Sequence, residues 1–381
     1  MALNNRFKQI LPLLSFFLIG NYTFCQQSRK IFIEPKYHYG RLIIHSEKVR
    51  PLRKGNIEIV EFNLVFPTTG KHKWAQLYRY PDLGIGYQVT SWKNPEMIGT
   101  SHTLNSYIRI PIVIIKPFKL YYHIGASPSY FTKTYAPETN PLNLSIGSHL
   151  NLYIHVGLGA QLRIYEKLLI NAGYGINHYS IGNLIQPNVG LNVDAAYVSM
   201  QYAINNEPTS IITNEMTRKI RRHEMWTYIG PGFKEIEIDL DTNAWGTVEP
   251  DPGHKYFTTT VSVNYAYQFN YKHKLGVGFE YFYDRSLKKR LLVQGVEDIK
   301  DSYLFRPGFN ISHELLFSDL SFITQFGRYI YSKSTRFGNK YYRVALKYHF
   351  HENWFVILAL KAHLPAIADF TEWGIGYRIR N

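Results

Sequence analysis

Strict alternation of apolar and polar residues is the pattern that recurs along this chain. In the segment TVSVNYAYQFNY, one face carries Val, Tyr and Phe, and the other carries Ser, Asn, Ala and Gln. The segments LGVGFEY, YRVALKYHF and WGIGYRIR repeat this order. Successive side chains of a β-strand point to opposite faces, so the two-residue period predicts strands that each have one apolar face.

The lengths of these segments predict a barrel that spans a membrane. Each segment holds about ten residues, the length of a tilted strand that crosses a bilayer, and aromatic residues recur at the ends of the apolar rows. In hydrocarbon, all backbone polar groups must be bonded within the protein, so the strands must close into a barrel. We therefore expect an antiparallel outer-membrane β-barrel rather than a soluble β-sandwich, whose apolar rows would contain fewer Tyr.

The strand signals number about sixteen, and an even number in the range of about 14–16 is expected for such a barrel. The predicted strands start near residues 31, 54, 82, 104, 117, 147, 167, 191, 224, 256, 273, 302, 319, 340, 352 and 369. They divide about equally around a polar linker, residues 206–222. We expect one large barrel, because the linker is short; the alternative is an eight-stranded barrel followed by a second β unit. The polar segment 238–255 is predicted to be a loop.

Composition supports strands and export. Of 381 residues, 31 are Tyr and 23 are Phe, and only 19% are charged, which suits strands better than helix surfaces. The start, MALNNRFKQILPLLSFFLIGNYTFCQQ, has a basic beginning, a short apolar run and small residues before Gln26, which predicts a signal peptide over residues 1–25. The mature barrel is then 26–381, and it lacks the chain's single cysteine, Cys25, and with it any disulfide or thiol nucleophile.

The formal charge of +15 points to anionic lipid head groups as partners, and for an exported protein it argues against nucleic acid. No cofactor is predicted. The pairs His313–Glu314 and His349–His351 lack a third ligand at metal spacing, so no metal site is predicted either.

In the run KLLINAGYGINHYS, one apolar row becomes polar at its end. Its even-numbered positions are apolar up to Ile176, and the next two are His178 and Ser180. Residues i and i+2 of a strand share a face, so this pair lies side by side on the row that is expected to face lipid.

The following strand offers partners for the pair. Its even positions from Ala196 to Ile204 look lipid-facing, which places Asn188, Asn192 and Asp194 on the same outer face. A nucleophilic serine needs an adjacent histidine, and the histidine needs a group that orients its other nitrogen. By spacing alone, the pair fits better the end of a strand, where polar residues return to water.

The stretch HYS…PNVGLN resembles the active-site region of the PagL-type lipid A deacylases, whose longer relatives are acyloxyacyl hydrolases. The family pattern has His-x-Ser-Asn, then Pro-Asn about ten residues after the His, then an acidic residue four further on. His178, Ser180, Pro187 and Asn188 match it. The resemblance covers roughly residues 80–205, and residues 223–381 supply additional strands.

The resemblance implies an esterase of the Gram-negative outer membrane that removes an ester-linked acyl chain from lipid A or lipopolysaccharide. It implies an eight-stranded barrel for the short members. Carried over by position, Ser180 is the nucleophile, His178 is the general base and Asn188 contributes to the oxyanion hole.

Two positions depart from the family pattern. Ile181 stands in place of Asn, and Asn192 stands in place of the triad acid. An amide orients an imidazole but does not stabilise an imidazolium as a carboxylate does. Asp194, on the same face, is the alternative orienting residue. The missing acid and the extra strands leave a second hypothesis open, a non-enzymatic pore or structural barrel.

Overall fold

The structure is a computed structural model that describes residues 30–207, 211–213, 220, 222–239, 248–250, 253–334, 338–363 and 367–380. The chain divides into two compact units. The first comprises residues 1–180 and 189–213, and the second comprises residues 181–188 and 214–381. The predicted signal peptide lies outside the described residues.

Strands dominate both units. They are β1 (Phe32–Leu42), β2 (Asn56–Pro67), β3 (Asp82–Ser91), β4 (Thr100–Ile115), β5 (Phe118–Phe131), β6 (Leu150–Arg163), β7 (Leu168–Ser180), β8 (Leu191–Ala203), β9 (His223–Lys234), β10 (Glu237–Asp239), β11 (Val248–Pro250), β12 (Tyr256–Gln268), β13 (His273–Asp284), β14 (Phe305–Phe317), β15 (Leu320–Tyr329), β16 (Lys340–His349), β17 (Trp354–His363) and β18 (Ile367–Arg380). The helices are α1 (Lys73–Leu77) and α2 (Ser286–Val293), with 3-10 turns at Glu47–Leu52, Gly182–Leu184 and Asp301–Leu304.

The first unit is a closed antiparallel barrel of β1 to β8 in chain order. Closure comes from pairing β1 with β8, where Phe32 lies opposite Ala203 and Leu42 lies opposite Val193. Closing the sheet leaves no strand edge unpaired, which a barrel in lipid requires.

The second unit contains another closed antiparallel barrel, formed by β9 and β12 to β18. Here β18 returns to pair with β9, with Ile379 opposite Met225. Between β9 and β12 the chain forms a separate two-stranded sheet, β10–β11.

The sixteen barrel strands confirm the predicted strand set, and each predicted start lies within four residues of the observed one. The expectation of one large barrel is wrong, and the alternative of an eight-stranded barrel with a second β unit is confirmed. Alternation fixes which way side chains point but not which strands close the sheet. The segment 238–255 is not wholly a loop, since it contains β11 and the end of β10. None of the described residues of the linker 206–222 belongs to a helix or strand.

The outward faces carry the predicted apolar rows. Along β12, Val261, Val263 and Tyr265 are exposed, while Ser262 and Asn264 point inward and are buried. In the second half of β18, Ile375, Tyr377 and Ile379 are likewise exposed, while Gly376 and Arg378 between them are buried. Within the described residues, no helix is both long and apolar enough to cross a bilayer.

Buried ion pairs fill the interior of the first barrel. Glu34 accepts hydrogen bonds from Arg109 at 2.7 Å and from the Tyr107 hydroxyl at 2.6 Å. Glu61 binds Lys36 and His38, each at 2.8 Å. All of these side chains are almost completely shielded, so the lumen is packed with side chains, as expected for eight strands.

The second barrel is filled in the same way, by charges in three layers. At one end, Asp284 binds Lys234 at 2.7 Å and Arg306 at 2.9 Å. In the middle, Arg343 lies between Glu280 and Glu372. At the other end Glu224 accepts from Lys274 at 2.9 Å, and further buried cations surround it.

The first barrel has one end with long connections and an apolar cap. The connections 43–55, 92–99 and 132–149 lie at this end, where β7 ends and β8 begins. At the other end, 116–117 and 164–167 are tight turns, and only 68–81, which holds α1, is long. A buried apolar cluster stands at the long-loop end; it includes Val49, Leu52, Trp92, Phe131, Ile146, Tyr179 and Leu191.

The Glu34–Arg109 pair gives a stability prediction. Arg109→Leu leaves the buried Glu34 carboxylate without its guanidinium partner, so we expect it to lower the free energy of unfolding by about 3–5 kcal/mol. Arg50→Leu, which removes an exposed partner of Glu47, is the matched control and is expected to leave the free energy of unfolding nearly unchanged, because water already solvates both groups. Urea unfolding in detergent micelles measures both. Adding Glu34→Gln to Arg109→Leu should recover part of the loss, and equal costs for the two Arg variants would contradict the assignment.

Candidate active site

His178 and Ser180 end β7 on its outward face. Both are half-buried, whereas Tyr179 between them points into the barrel and is fully buried. On one side they face apolar residues of β6, with Ile154 opposite His178 and Leu152 opposite Ser180. The row Leu168 to Ser180 therefore has the predicted outward orientation.

On the other side, β8 presents an amide to the histidine. Asn192 lies directly opposite His178, and His178 Nδ1 is 2.6 Å from Asn192 Oδ1. Because an amide oxygen only accepts, this bond requires the proton on Nδ1 and leaves the lone pair on Nε2. An imidazole in this tautomer can accept a proton at Nε2, which is what a general base beside a serine needs.

Asp194 lies one outward position further along β8 and has other partners. Its carboxylate accepts from Arg41 Nε at 3.1 Å and from the Tyr174 hydroxyl at 2.8 Å. In the strand register it is opposite Ile176, not His178. Of the two predicted orienting residues, the structure thus brings Asn192 to the ring and holds Asp194 in an ion pair.

Asn188 belongs to the segment 181–188, which groups with the second unit. There it is nearly buried, its side-chain amide donates to the Gly182 carbonyl at 2.7 Å, and its backbone amide donates to Gln186 Oε1 at 3.0 Å. Its assignment to the oxyanion hole stays a prediction.

Gly190 packs against the His–Ser pair. Its backbone has φ of +79°, and a β-carbon built there would lie 3.2 Å from His178 Cε1 and 3.3 Å from Ser180 Cβ. A residue with a side chain would therefore both strain the backbone and press on the ring and the serine. The positive φ and the close contacts, of which the Tyr179 carbonyl oxygen at 3.1 Å is the nearest, both favour glycine at position 190.

His45 is a member of the site that the sequence pattern does not reveal. Its Nδ1 is 3.2 Å from Asn192 Nδ2, and its Nε2 is 3.4 Å from the Val189 carbonyl oxygen. The backbone amide of Ile43 donates to the Asn192 carbonyl at 2.8 Å, which continues the β1–β8 ladder past the end of β1. No local motif marks His45, because 147 positions of sequence separate it from Asn192.

The site therefore consists of a serine, a histidine, an amide and a second histidine on the outer wall of the first barrel. Below it the same wall is apolar, with Ile176 and Tyr174 exposed. Within the part of the chain that the structure describes, no group of three or more His, Cys, Asp or Glu side chains is placed to hold a metal ion. The arrangement is suited to nucleophilic attack on a substrate that lies against the apolar wall.

Fold and site together define a β-barrel of the outer-membrane type with a candidate hydrolase site on its outward face. Two family models match the chain: "Lipid A 3-O-deacylase (PagL)" over residues 59–201, and "Acyloxyacyl hydrolase, C-terminal domain" over residues 223–381. Together they cover most of the chain, which belongs to the PagL family of lipid A deacylases. The family resemblance predicted from HYS…PNVGLN is confirmed.

Solved structures with similarity to the chain are barrels with low overall agreement. Neisserial surface protein A is 10% identical, with a TM-score of 0.31, 45% of this chain covered and 96% of that one. A designed transmembrane β-barrel is 11% identical, with a TM-score of 0.27 and coverages of 47% and 98%. A triple mutant of the Rhodopseudomonas blastica porin is 9% identical, with a TM-score of 0.18 and coverages of 92% and 100%. No curated protein matches the chain.

The contacts of Gly190 lead to a prediction with a matched control. Gly190→Ala and Gly295→Ala place Ala at nearly the same backbone angle, φ +79° and +78°, but a β-carbon at 295 meets nothing within 4 Å. Both variants carry the backbone cost of about 1–2 kcal/mol, so the extra cost at 190 measures contact with the site. We expect a further loss of about 1–3 kcal/mol from overpacking at 190. The free energy of unfolding of the unit that carries each substitution is the measurement, and equal losses would contradict the close packing.

Proposed function

We propose that this chain is a serine esterase of the Gram-negative outer membrane that hydrolyses an ester-linked acyl chain of lipid A. The observation that carries the proposal is the 2.6 Å bond between His178 Nδ1 and Asn192 Oδ1, which supports a ring poised as a base on the same outward row as Ser180. Membership of the lipid A deacylase family supplies the substrate class.

The reaction divides into two steps. Ser180 Oγ attacks the ester carbonyl carbon while His178 Nε2 takes the hydroxyl proton, and the tetrahedral intermediate expels the sugar oxygen, which takes that proton from the ring. The acyl group is then on Ser180. In the second step, water gives a proton to His178 and attacks the acyl-enzyme, and the ring returns the proton to Ser180 as the fatty acid leaves.

The position of the site along the barrel fits this substrate. In barrels of this kind the longer connections face the outside of the cell and the short turns face the periplasm. The site lies at the end with the connections 43–55, 92–99 and 132–149. This supports placement at the outer leaflet, where lipid A resides, with the acyl chain along the wall that carries Ile176.

Exposed cations at the same end of the first barrel fit an anionic head group. The connection after β1 carries Arg53 and Lys54, both exposed, and the Arg41 side chain at the end of β1 is 65% exposed beside Asp194. Buried Val49 and Leu52 hold this connection against the barrel. Phosphate groups of lipid A are natural partners for guanidinium and ammonium groups at a membrane surface.

The competing hypothesis of a pore has less support from the interior. Lys36, Glu61 and Arg109 in the first barrel, and Arg343 and Lys347 in the second, are at most 3% exposed. A lumen closed by paired charges favours a solid barrel over a water-filled channel, which needs more strands.

Loss of the nucleophile is the direct test. We expect Ser180→Ala to abolish deacylation, because the serine hydroxyl is the group that takes the acyl chain. Mass spectrometry of lipid A from cells that express each variant measures the loss of one acyl chain. Ser106→Ala, at an outward serine of β4 bonded to the Ala126 carbonyl, is the control and should retain activity. Identical lipid A from wild type and Ser180→Ala would overturn the proposal.

The hydrogen bond between Asn192 and His178 predicts the order of activity among variants at position 192. Asn192→Asp places a carboxylate next to His178 Nδ1, where it stabilises the imidazolium, so kcat should rise by at least about tenfold. Asn192→Ala removes the orienting group, so kcat should fall below that of the wild type. Initial rates of fatty acid release from purified lipid A give the order Asp, Asn, Ala; activity independent of residue 192 would contradict a role for the bond.

A further inference from the structure

We propose that His45 is a positioning residue that fixes the orientation of the Asn192 side-chain amide and, through it, the tautomer of His178. This inference rests on the proposed function, since it concerns the same site. It assigns a role to a side chain outside the match to HYS…PNVGLN.

The need for such a residue follows from the asymmetry of an amide. The carboxylate expected at position 192 has two equivalent oxygens, and either one accepts from His178 Nδ1. An Asn side chain has one oxygen and one NH2 group. If the amide rotates by half a turn, its NH2 group donates to Nδ1, the ring proton moves to Nε2, and His178 can no longer take the proton of Ser180.

His45 distinguishes the two ends of the amide. Carbonyl oxygens only accept, and one lies near each ring nitrogen of His45: Val189 at 3.4 Å from Nε2 and Ile43 at 3.2 Å from Nδ1. Of the two neutral tautomers, only the one with the proton on Nε2 can also accept a hydrogen bond from the Asn192 amide. His45 Nδ1 is then an acceptor and takes a hydrogen bond from Asn192 Nδ2, at 3.2 Å. The amide oxygen is left to face His178.

Backbone contacts hold His45 in place for this role. The Ile43 amide donates to the Asn192 carbonyl at 2.8 Å, and the His45 amide donates to the Ile43 carbonyl at 3.1 Å. The chain after β1 is therefore tied to β8 at the residue whose side chain it orients. Directional hydrogen bonds run from the Val189 carbonyl through His45 and Asn192 to His178.

The neutral form of His45 is required. The Ile43 carbonyl oxygen lies 3.2 Å from the same Nδ1, so a protonated ring donates to Ile43 and Val189 and offers nothing to the Asn192 amide. Arg41 and Asp194, paired to each other, are the charged groups on the adjoining ends of β1 and β8.

The test is a double-mutant comparison in the full chain. His45→Ala should lower kcat with little change in KM, by between about tenfold and the ~10⁴-fold that a wrong histidine tautomer costs in serine proteases. In the Asn192→Asp background the same His45→Ala change should cost less than about threefold, because a carboxylate needs no orienting partner. His45→Gln, whose amide oxygen can accept from Asn192, should recover part of the activity.

A spectroscopic readout separates this inference from the proposed function. In ¹⁵N-labelled protein in micelles, His178 should show one tautomer with the proton on Nδ1, and His45→Ala should produce a mixture of tautomers. If His45→Ala costs the same in the wild-type and Asn192→Asp backgrounds and leaves the His178 tautomer unchanged, the inference fails even though Ser180→Ala remains inactive. If Ser180→Ala is active while the tautomer still depends on His45, the esterase proposal fails and the positioning role stands.

Discussion

The constraint on which the structure depends is that backbone and side-chain polar groups find no water in the hydrocarbon of a bilayer. Closure of the two barrels satisfies this constraint for the backbone: β1 pairs with β8, and β18 pairs with β9, so neither barrel has an open edge. Inside each barrel, charged side chains satisfy the same constraint by forming ion pairs, as Arg109 does with Glu34. On the outer wall the same constraint leaves apolar rows, and it makes any polar residue there costly unless it has a partner.

His178, Asn192 and His45 satisfy that constraint together. They sit at the end of the wall where the long connections begin, and each ring or amide has a partner from a different part of the chain. An isolated histidine on this row would face hydrocarbon; within the set it is held in a single orientation. The hydrogen bonds that satisfy these polar side chains thus also hold His178 in the orientation that a nucleophilic mechanism requires of its general base. Glycine at 190 contributes by leaving space for both His178 and Ser180.

Much of this could be predicted from the sequence, because a two-residue period directly reports the face of each side chain. It places His178, Ser180, Asn192 and Asp194 outward, where the structure has them. It also places Asn188 on this face, which is wrong, because β8 begins at Leu191 and Asn188 is nearly buried in the segment before it. Barrel closure was not predictable, since the partner of β1 leaves no mark in the alternation of β1. Which of Asn192 and Asp194 contacts His178 depends on the register between β7 and β8, and a shift of two residues would place Asp194 opposite the ring instead. The sequence pattern does not predict His45 as a site residue, because only the fold brings it next to β8.

Covalent trapping of the nucleophile tests the central claim most directly. A lipophilic alkyl phosphonate ester reacts irreversibly with a serine whose hydroxyl proton is removed by a neighbouring base, and peptide mass spectrometry locates the adduct. The account predicts one adduct on Ser180 in the wild-type protein in micelles, and its loss in His178→Ala. An adduct at another residue, or labelling of Ser180 that is as fast without His178, would contradict it.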